Sequence, residues 1–239
     1  MRVSYKPDLP IRVGPVWHNQ HSAIYIKGHA MIFYDCSTAP SPRRARMFIA
    51  EKGLDIEVHD ISIAAGEQLS PEFLKINPRG TIPVLALDDG TKLTENIAIA
   101  TYLEAKFPEP VLIGTTPEEI GVVMMWNAIC EQQGGLPIAE ALRNGNPHMK
   151  GRAITGTTNY EQIPELAARG QARVAVFFEM LEQRLQSSAY VALDRFSLAD
   201  ITAYVFVDFA RVIKARIPEG NTATQAWFDS IRARPSAAL

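Results

Sequence analysis

Residues 77–99 read Asn-Pro-Arg-Gly-Thr-Ile-Pro-Val-Leu-Ala-Leu-Asp-Asp-Gly-Thr-Lys-Leu-Thr-Glu-Asn-Ile-Ala-Ile. A proline inside an apolar run is compatible with a strand only at its start, so Pro83 marks the opening of a short strand within 81–87. Asp89-Gly90 is a hairpin-turn dipeptide and leads into a second strand at Lys92-Leu93-Thr94. From about Asn96 to Lys106 the spacing turns helical, with an acid and an amide, Glu95 and Asn96, at the junction.

Upstream, residues 31–36 form an apolar β-type run, and 37–42 (Ser-Thr-Ala-Pro-Ser-Pro) a loop. Residues 43–52 have helical spacing that Gly53 closes. A second strand fits 56–63. Ser70-Pro71-Glu72-Phe73 starts a short helix with Ser as cap and Pro first, ending before Asn77-Pro78. The order β-α-β-α-β-β-α is the thioredoxin-like α/β arrangement, and it ends at Phe107-Pro108-Glu109-Pro110. Beyond Pro117 the pattern is all helical, with apolar positions at Ile120, Val123, Met124 and 126–129, then 163–185 and 198–214. A polar, glycine-rich stretch at 144–158 reads as a loop between two long helices. The expected layout is an N-terminal extension over 1–30, the thioredoxin-like domain over 31–107, a linker over 108–116, and an all-α domain over 117–239.

Bulk composition narrows the function. The chain has 239 residues, 47% of them hydrophobic and 21% charged, ordinary for a protein with a large core. Its 24 basic and 26 acidic side chains give a formal charge of −2, which leaves no surplus to neutralise phosphates and argues against nucleic acid as partner. No apolar run nears the ~20 residues that span a bilayer. Two cysteines, Cys36 and Cys130, are too few for a disulfide framework or a zinc site, so no metal is expected and a reducing, cytoplasmic setting fits. Prolines 10 and 15 and His18 stand where a secretory signal would have its apolar core.

Three places carry chemistry. If the Ile82–Pro83 bond is cis, the backbone of Ile82 turns outward and can pair with an extended peptide; an ordinary turn proline is the bland alternative. At Glu95-Asn96 the helix N-terminus favours an anion, Asn96 adds a donor, and Glu95 accepts from an amine, so a zwitterion suits the junction; a plain N-cap reads equally well. In the 37–42 loop, hydroxyls sit beside another helix N-terminus, where a thiol of reference pKa ~8.5 would be acidified. Ser41 also reads as the N-cap of that helix, with Pro42 at its first position. A fourth feature is structural: Ser197 and Asp200 form a capping box, with Phe196 and Ile201 at the staple positions.

Taken together, these residues resemble the soluble glutathione transferase family over about 31–235, and residues 66–78 look especially like its delta, theta and related bacterial members. The resemblance implies that glutathione binds as co-substrate. Ile82 and Pro83 would meet its cysteinyl backbone, Glu95 and Asn96 its γ-glutamyl end, and Gln68 or Lys75 its glycine end. It also implies a homodimer, and conjugation of the thiolate to a small hydrophobic electrophile. A non-catalytic glutathione-binding or stress-regulatory member, and a glutathione-dependent reductase or lyase, are the alternatives.

The chain departs from the family at the thiolate-holding position. Counting without gaps puts Ala39 there. Counting back from Gly53 gives Ser41, and counting forward from the strand gives Thr38, so the candidates are Ser41, Thr38 and Ser37 in that order. Cys36 sits at the strand's end and reads as a buried, inert thiol. Arg43 and Arg44 would attract an acidic co-substrate or simply be solvated. The electrophile pocket is expected beside Trp126, Cys130 and Gln133.

Overall fold

The computed structural model describes residues 26–239, so most of the expected extension over 1–30 lies outside the described residues. Four strands form one sheet in the order β2-β1-β3-β4. They are β1 Ile26–Asp35, β2 Leu54–Asp60, β3 Val84–Ala86 and β4 Lys92–Thr94. β1 runs parallel to β2 and antiparallel to β3, and β3 is antiparallel to β4. The parallel pair needs a crossover, which is α1 (Pro40–Glu51); the antiparallel pair needs only the turn closed by Leu87 and Gly90. Helix α2 (Pro71–Leu74) and helix α3 (Asn96–Lys106) complete the α/β unit. This is the thioredoxin-like order read from the sequence. β1, however, begins at Ile26, ahead of Met31: its pairing with β2 shifts register between Lys27 and Ile32, so the early half lacks a clean pattern.

One face of the sheet carries a small apolar cluster of Ile61, Phe73 and Val84, with Tyr34 and Phe73 edge-to-face at 6.0 Å. The opposite face, bearing Met31, Phe33 and Leu85, belongs to a much larger core that continues through α1 and α3 into the helical half. Burial of a large aliphatic or aromatic side chain is worth about 1.5–3 kcal/mol, so this shared core holds the two halves against each other.

The linker is clamped. Lys52, at the end of α1, places its ammonium against Glu104 at 2.5 Å and donates to the carbonyls of Pro108 and Pro110. Burial draws its pKa down, and Glu104 opposes that by holding the charge.

The helical half comprises α4 (Pro117–Cys130), a π turn (Glu131–Gly135), α5 (Leu136–Gly145), α6 (Pro164–Leu185), α7 (Leu198–Phe209) and α8 (Thr222–Arg232). Pro137 lacks an N–H, so the regular ladder cannot run through this point, and a π turn absorbs the mismatch. The capping box is present: Ser197 donates its N–H and its hydroxyl to Asp200 Oδ2 at 3.0 and 2.9 Å. Asp200 also accepts from Val191 N–H and Trp227 Nε1. The helix expected over 198–214 stops at Phe209, with Lys214 in the left-handed region at φ 61°. α8 was not anticipated, although Thr224, Trp227 and Ile231 bury one face of it. Among the described residues no helix is long and apolar enough to cross a membrane.

Candidate active site

The site forms where α1, the turn before β3, the β4–α3 junction and the helical half converge on a cleft of about 700 Å³. α1 begins differently from the sequence expectation: Ala39 is its N-cap and Pro40 its first residue. Ser41 is therefore not the cap. With Pro40 before it and Pro42 after it, neither having an N–H, Ser41 carries the one amide donor of this first turn without a partner among the described residues, since Ala39 and Arg43 N–H already bond Cys36 and Ala39 carbonyls. Its N–H and its hydroxyl both sit at the positive end of the helix, on the cleft wall.

Of the other hydroxyls, Thr38 lines the cleft, but its Oγ1 contacts Cys36 Sγ at 3.4 Å. Ser37 is exposed, lines a separate hollow of about 360 Å³, and has its N–H on Asp60 Oδ1 at 3.0 Å. The structure thus separates the three hydroxyls and brings only Ser41 and Thr38 to the cleft.

The Ile82–Pro83 bond is cis, and both residues line the cleft. Among the described residues the N–H and C=O of Ile82 meet no backbone partner. Asn77 shapes the approach by donating to the Thr81 carbonyl at 2.7 Å and accepting from Arg79 N–H. Glu95 lines the cleft with φ 70°, a conformation costly for a residue with a Cβ. It thereby ends β4 and presents the N-terminus of α3, where the Glu95 carbonyl accepts from Ala98 and Ile99 N–H and the N–H groups of Asn96 and Ile97 have no backbone partner among the described residues. Arg79 donates to Glu95 Oε1 at 2.9 Å, an exposed pair worth about 0–1 kcal/mol and easily exchanged for a ligand.

Asn96 behaves otherwise than expected. Its side chain is buried and turned away from the junction, donating from Nδ2 to Ser41 Oγ at 2.9 Å, with Oδ1 buried and unpaired among the described residues. The donor Ser41 receives from Asn96 leaves the serine's own hydroxyl proton free to point into the cleft. Gln68 lines the cleft, and its Oε1 is also buried without a partner. Lys75 is exposed, away from the cleft, with its carbonyl accepting from Lys92; of the two residues expected at a glycine end, only Gln68 lines the cleft.

The wall opposite comes from the helical half: Leu136, Ala139 and Leu142 of α5, Phe206 and Phe209 of α7, and the loop after α5. Trp126, Cys130 and Gln133, the residues expected there, are elsewhere. Trp126 lies under Arg184, Cys130 is fully buried with its thiol pushed far up by that burial, and Gln133 accepts from Arg173. At the base of the cleft Arg44 pairs with Glu131 at 2.5 Å and stacks over Phe206. Burial lowers the Arg44 pKa, and Glu131 offsets this. Cys36 is buried and does not line the cleft.

Models of the glutathione S-transferase N-terminal and C-terminal domains match residues 38–106 and 146–235. Glutathione S-transferase 2 of Saccharomyces cerevisiae is 35% identical over 208 residues, spanning 86% of this chain and 87% of the relative. The chain belongs to the glutathione S-transferase family. The crystal structure of Gtt2 from Saccharomyces cerevisiae superposes with TM-score 0.79 at 34% identity, covering 87% of this chain and 98% of that one. A glutathione S-transferase of class Gtt2 from Vibrio parahaemolyticus gives TM-score 0.73 at 30% identity, with 86% and 94% covered. Both of these relatives carry the name Gtt2, and neither carries the delta or theta name that residues 66–78 suggest. In this glutathione S-transferase, Ala39 at the gap-free serine position is the α1 N-cap, and Ser41 lies two residues further on, inside the first turn.

Proposed function

We propose that the protein binds glutathione in the cleft and transfers its thiolate to a small hydrophobic electrophile. The observation that carries this reading is the convergence on one cleft of an unpaired backbone at Ile82, an α3 N-terminus flanked by Glu95, and the Ser41 N–H and hydroxyl at the start of α1. Glutathione is an extended tripeptide with a zwitterionic γ-glutamyl end and a central thiol, and the three features match those three parts.

In this reading the cysteinyl backbone pairs with Ile82 as an added strand. The γ-glutamyl carboxylate takes the free N–H groups of Asn96 and Ile97, and its ammonium takes Glu95 in exchange for Arg79. The glycine end lies by Gln68. The thiol then sits at the α1 N-terminus, where the Ser41 N–H and hydroxyl and the helix dipole favour the thiolate over the thiol. The proton leaves to solvent, the sulfur forms a bond to the electrophilic carbon, and the leaving group departs with its electron pair. Proximity and thiolate stabilisation supply the rate. The apolar wall of Leu136, Ala139, Phe206 and Phe209 would hold the electrophile.

A second reading has one point in its favour: Disulfide-bond oxidoreductase YfcG of Escherichia coli is 28% identical over 214 residues, spanning 84% of this chain. Thiol–disulfide exchange here would have to run through glutathione's own thiol, since neither cysteine lines the cleft. We further propose a cytoplasmic homodimer, for which two free cysteines and the exposed apolar Met125 and Val176 on α4 and α6 are the support.

Glutathione binding by calorimetry, together with the ultraviolet absorbance of the bound thiolate against pH, tests the main reading. Binding with the thiol titrating below ~8.5 is the expected result. Absence of binding defeats it.

A further inference from the structure

Arg43 and Arg44, candidates by sequence for an acidic co-substrate, are already occupied: Arg43 pairs with Asp208 and Arg44 with Glu131. Arg46, Arg169, Arg195 and Arg234 likewise each meet a carboxylate. Two arginines on the cleft wall do not. Arg143, in the last turn of α5, and Arg152, in the following loop, both line the cleft, and neither has a carboxylate within ion-pair distance among the described residues.

Their own contacts leave most of their donors over. Arg143 uses Nη1 on the Arg152 carbonyl at 2.8 Å. Arg152 uses Nη1 on Asn159 Oδ1 and Nη2 on the Gly156 carbonyl, both at 3.0 Å. A guanidinium has five N–H donors, and none of the remaining nitrogens of either residue is sealed from solvent, so they are available to something in the cleft. Burial and the neighbouring Arg152 charge both draw the Arg143 pKa down, the signature of two like charges held together without a counter-ion.

The approach to this pair is apolar. Leu136, Ala139 and Arg143 stand at i, i+3 and i+7 along α5 and all face the cleft, so one helix stripe presents two apolar residues and then a cation. A ligand lying along it against Phe206 would be apolar in its body and negative at its far end.

Resting on the glutathione-transferase reading above, we infer that Arg143 and Arg152 form a carboxylate-binding subsite that selects electrophiles with an apolar body and a carboxylate. A guanidinium pair binds a carboxylate with several charge-assisted hydrogen bonds, which gives orientation as well as affinity. The other carboxylate that could reach the subsite is the glycine carboxylate of glutathione itself.

The test compares two aryl halides of similar size, neutral chlorodinitrobenzene and negatively charged chloronitrobenzoate, in the wild type and in Arg143→Gln, Arg152→Gln, Arg143→Lys and Arg152→Lys. Glutathione and its glycyl ethyl ester are titrated calorimetrically alongside. The expected result is a rise of about tenfold in KM for the benzoate in the glutamine variants, no comparable change for the neutral halide, and partial rescue by lysine. Equal effects on both halides, or none, overturn the proposal and leave the arginines as staples of the loop. Weakened binding of glutathione but not of its ester overturns the assignment to the second substrate and gives the subsite to the glycine carboxylate. Should glutathione fail to bind the wild type, the transferase reading falls. Direct titration of the two halides then still decides the subsite: a preference for the benzoate that the glutamine variants lose supports it, and no preference overturns it.

Discussion

Asn96 Nδ2 donates to Ser41 Oγ at 2.9 Å, joining the first turn of α3 to the first turn of α1. Two helix N-termini are thereby fixed relative to each other, the two to which the proposed reading assigns the γ-glutamyl carboxylate and the thiolate. Ser41→Ala removes the hydroxyl but keeps the N–H and the dipole. A hydrogen bond to a charged group is worth about 1.5–3 kcal/mol, so the bound thiol should titrate roughly one to two pH units higher. The sign follows from the thiolate being the stabilised form: the acid limb of the pH–rate profile moves to higher pH. The thiolate absorbance reads this directly. Asn96→Ala should give a smaller shift in the same direction, and the double variant should fall short of the sum, as expected for a positioning residue that acts through Ser41.

Glu95 offers a way to separate binding from stability. Its φ of 70° costs about 1–3 kcal/mol for a residue with a Cβ, and glycine tolerates the same backbone at an unfolded-state entropy cost of about 0.4–1 kcal/mol. Glu95→Gly should therefore leave Tm unchanged or raise it, while weakening glutathione binding on the order of tenfold or more through loss of the ammonium partner. Thermal unfolding and calorimetry on the same sample check both halves. A fall in Tm together with unchanged affinity would assign Glu95 a purely structural role.

How much of the site could be read in the sequence depended on how local its logic was. Ile82, Pro83 and Glu95 are set by their immediate neighbours: a proline opening a strand and an acid at a strand–helix junction. Ser41 lines the cleft but is not the N-cap the sequence suggests, because Pro40 and Pro42 each suit a first helical position and the sequence does not choose between them. The helical-half wall of the cleft does not include Trp126, Cys130 and Gln133, for a geometric reason. Trp126 and Cys130 precede the π turn over Glu131–Gly135 and pack away from the cleft, under Arg184 and in the core, while beyond the turn, which breaks the α-helical period, Leu136, Ala139 and Arg143 line it. Pro137 was the available signal. The register shift in β1 hid its first half, and α8 lacked a side-chain cap to announce it.

Glu182 on α6 reaches the N-terminus of α8, accepting from Ala223 N–H at 3.2 Å and from Thr224 N–H and hydroxyl at 2.8 and 2.9 Å. Desolvation pushes its pKa up, but these hydrogen bonds and one from Gln186 outweigh it and hold the carboxyl below its ordinary range. A depressed carboxylate stabilises the fold above its unfolded pKa and ceases to do so as pH falls through the folded value. Glu182→Gln should thus be destabilised at neutral pH, by about 1–3 kcal/mol for the lost charge-assisted bonds, with the deficit shrinking below pH ~4. Denaturant unfolding of both proteins at neutral and acid pH measures it; a deficit independent of pH would place the effect in packing instead of charge.

The π turn is held by the absence of side chains at Gly134 and Gly135. A Cβ on Gly134 would lie 2.7 Å from Phe177 Cζ, with two further ring atoms of Phe177 within 3.0 Å, and a Cβ on Gly135 would meet the ring of Phe206. Neither glycine has a positive φ, so the requirement is space and not backbone conformation. Two effects compete in Gly134→Ala. Alanine gains up to about 1 kcal/mol of helix propensity, whereas overpacking a buried ring costs about 1–3 kcal/mol. Phe177 is itself 1% exposed, within the core between α6 and the π turn, and has little room to retreat, so overpacking should win. The expected outcome is net destabilisation of about 1–2 kcal/mol, read by denaturant unfolding. Phe177→Leu alone should also destabilise, by loss of buried volume. Combined with Gly134→Ala, it should cost less than the sum of the two, because each change supplies the space the other needs. Strict additivity would mean that the space between the Phe177 ring and Gly134 does not limit the turn.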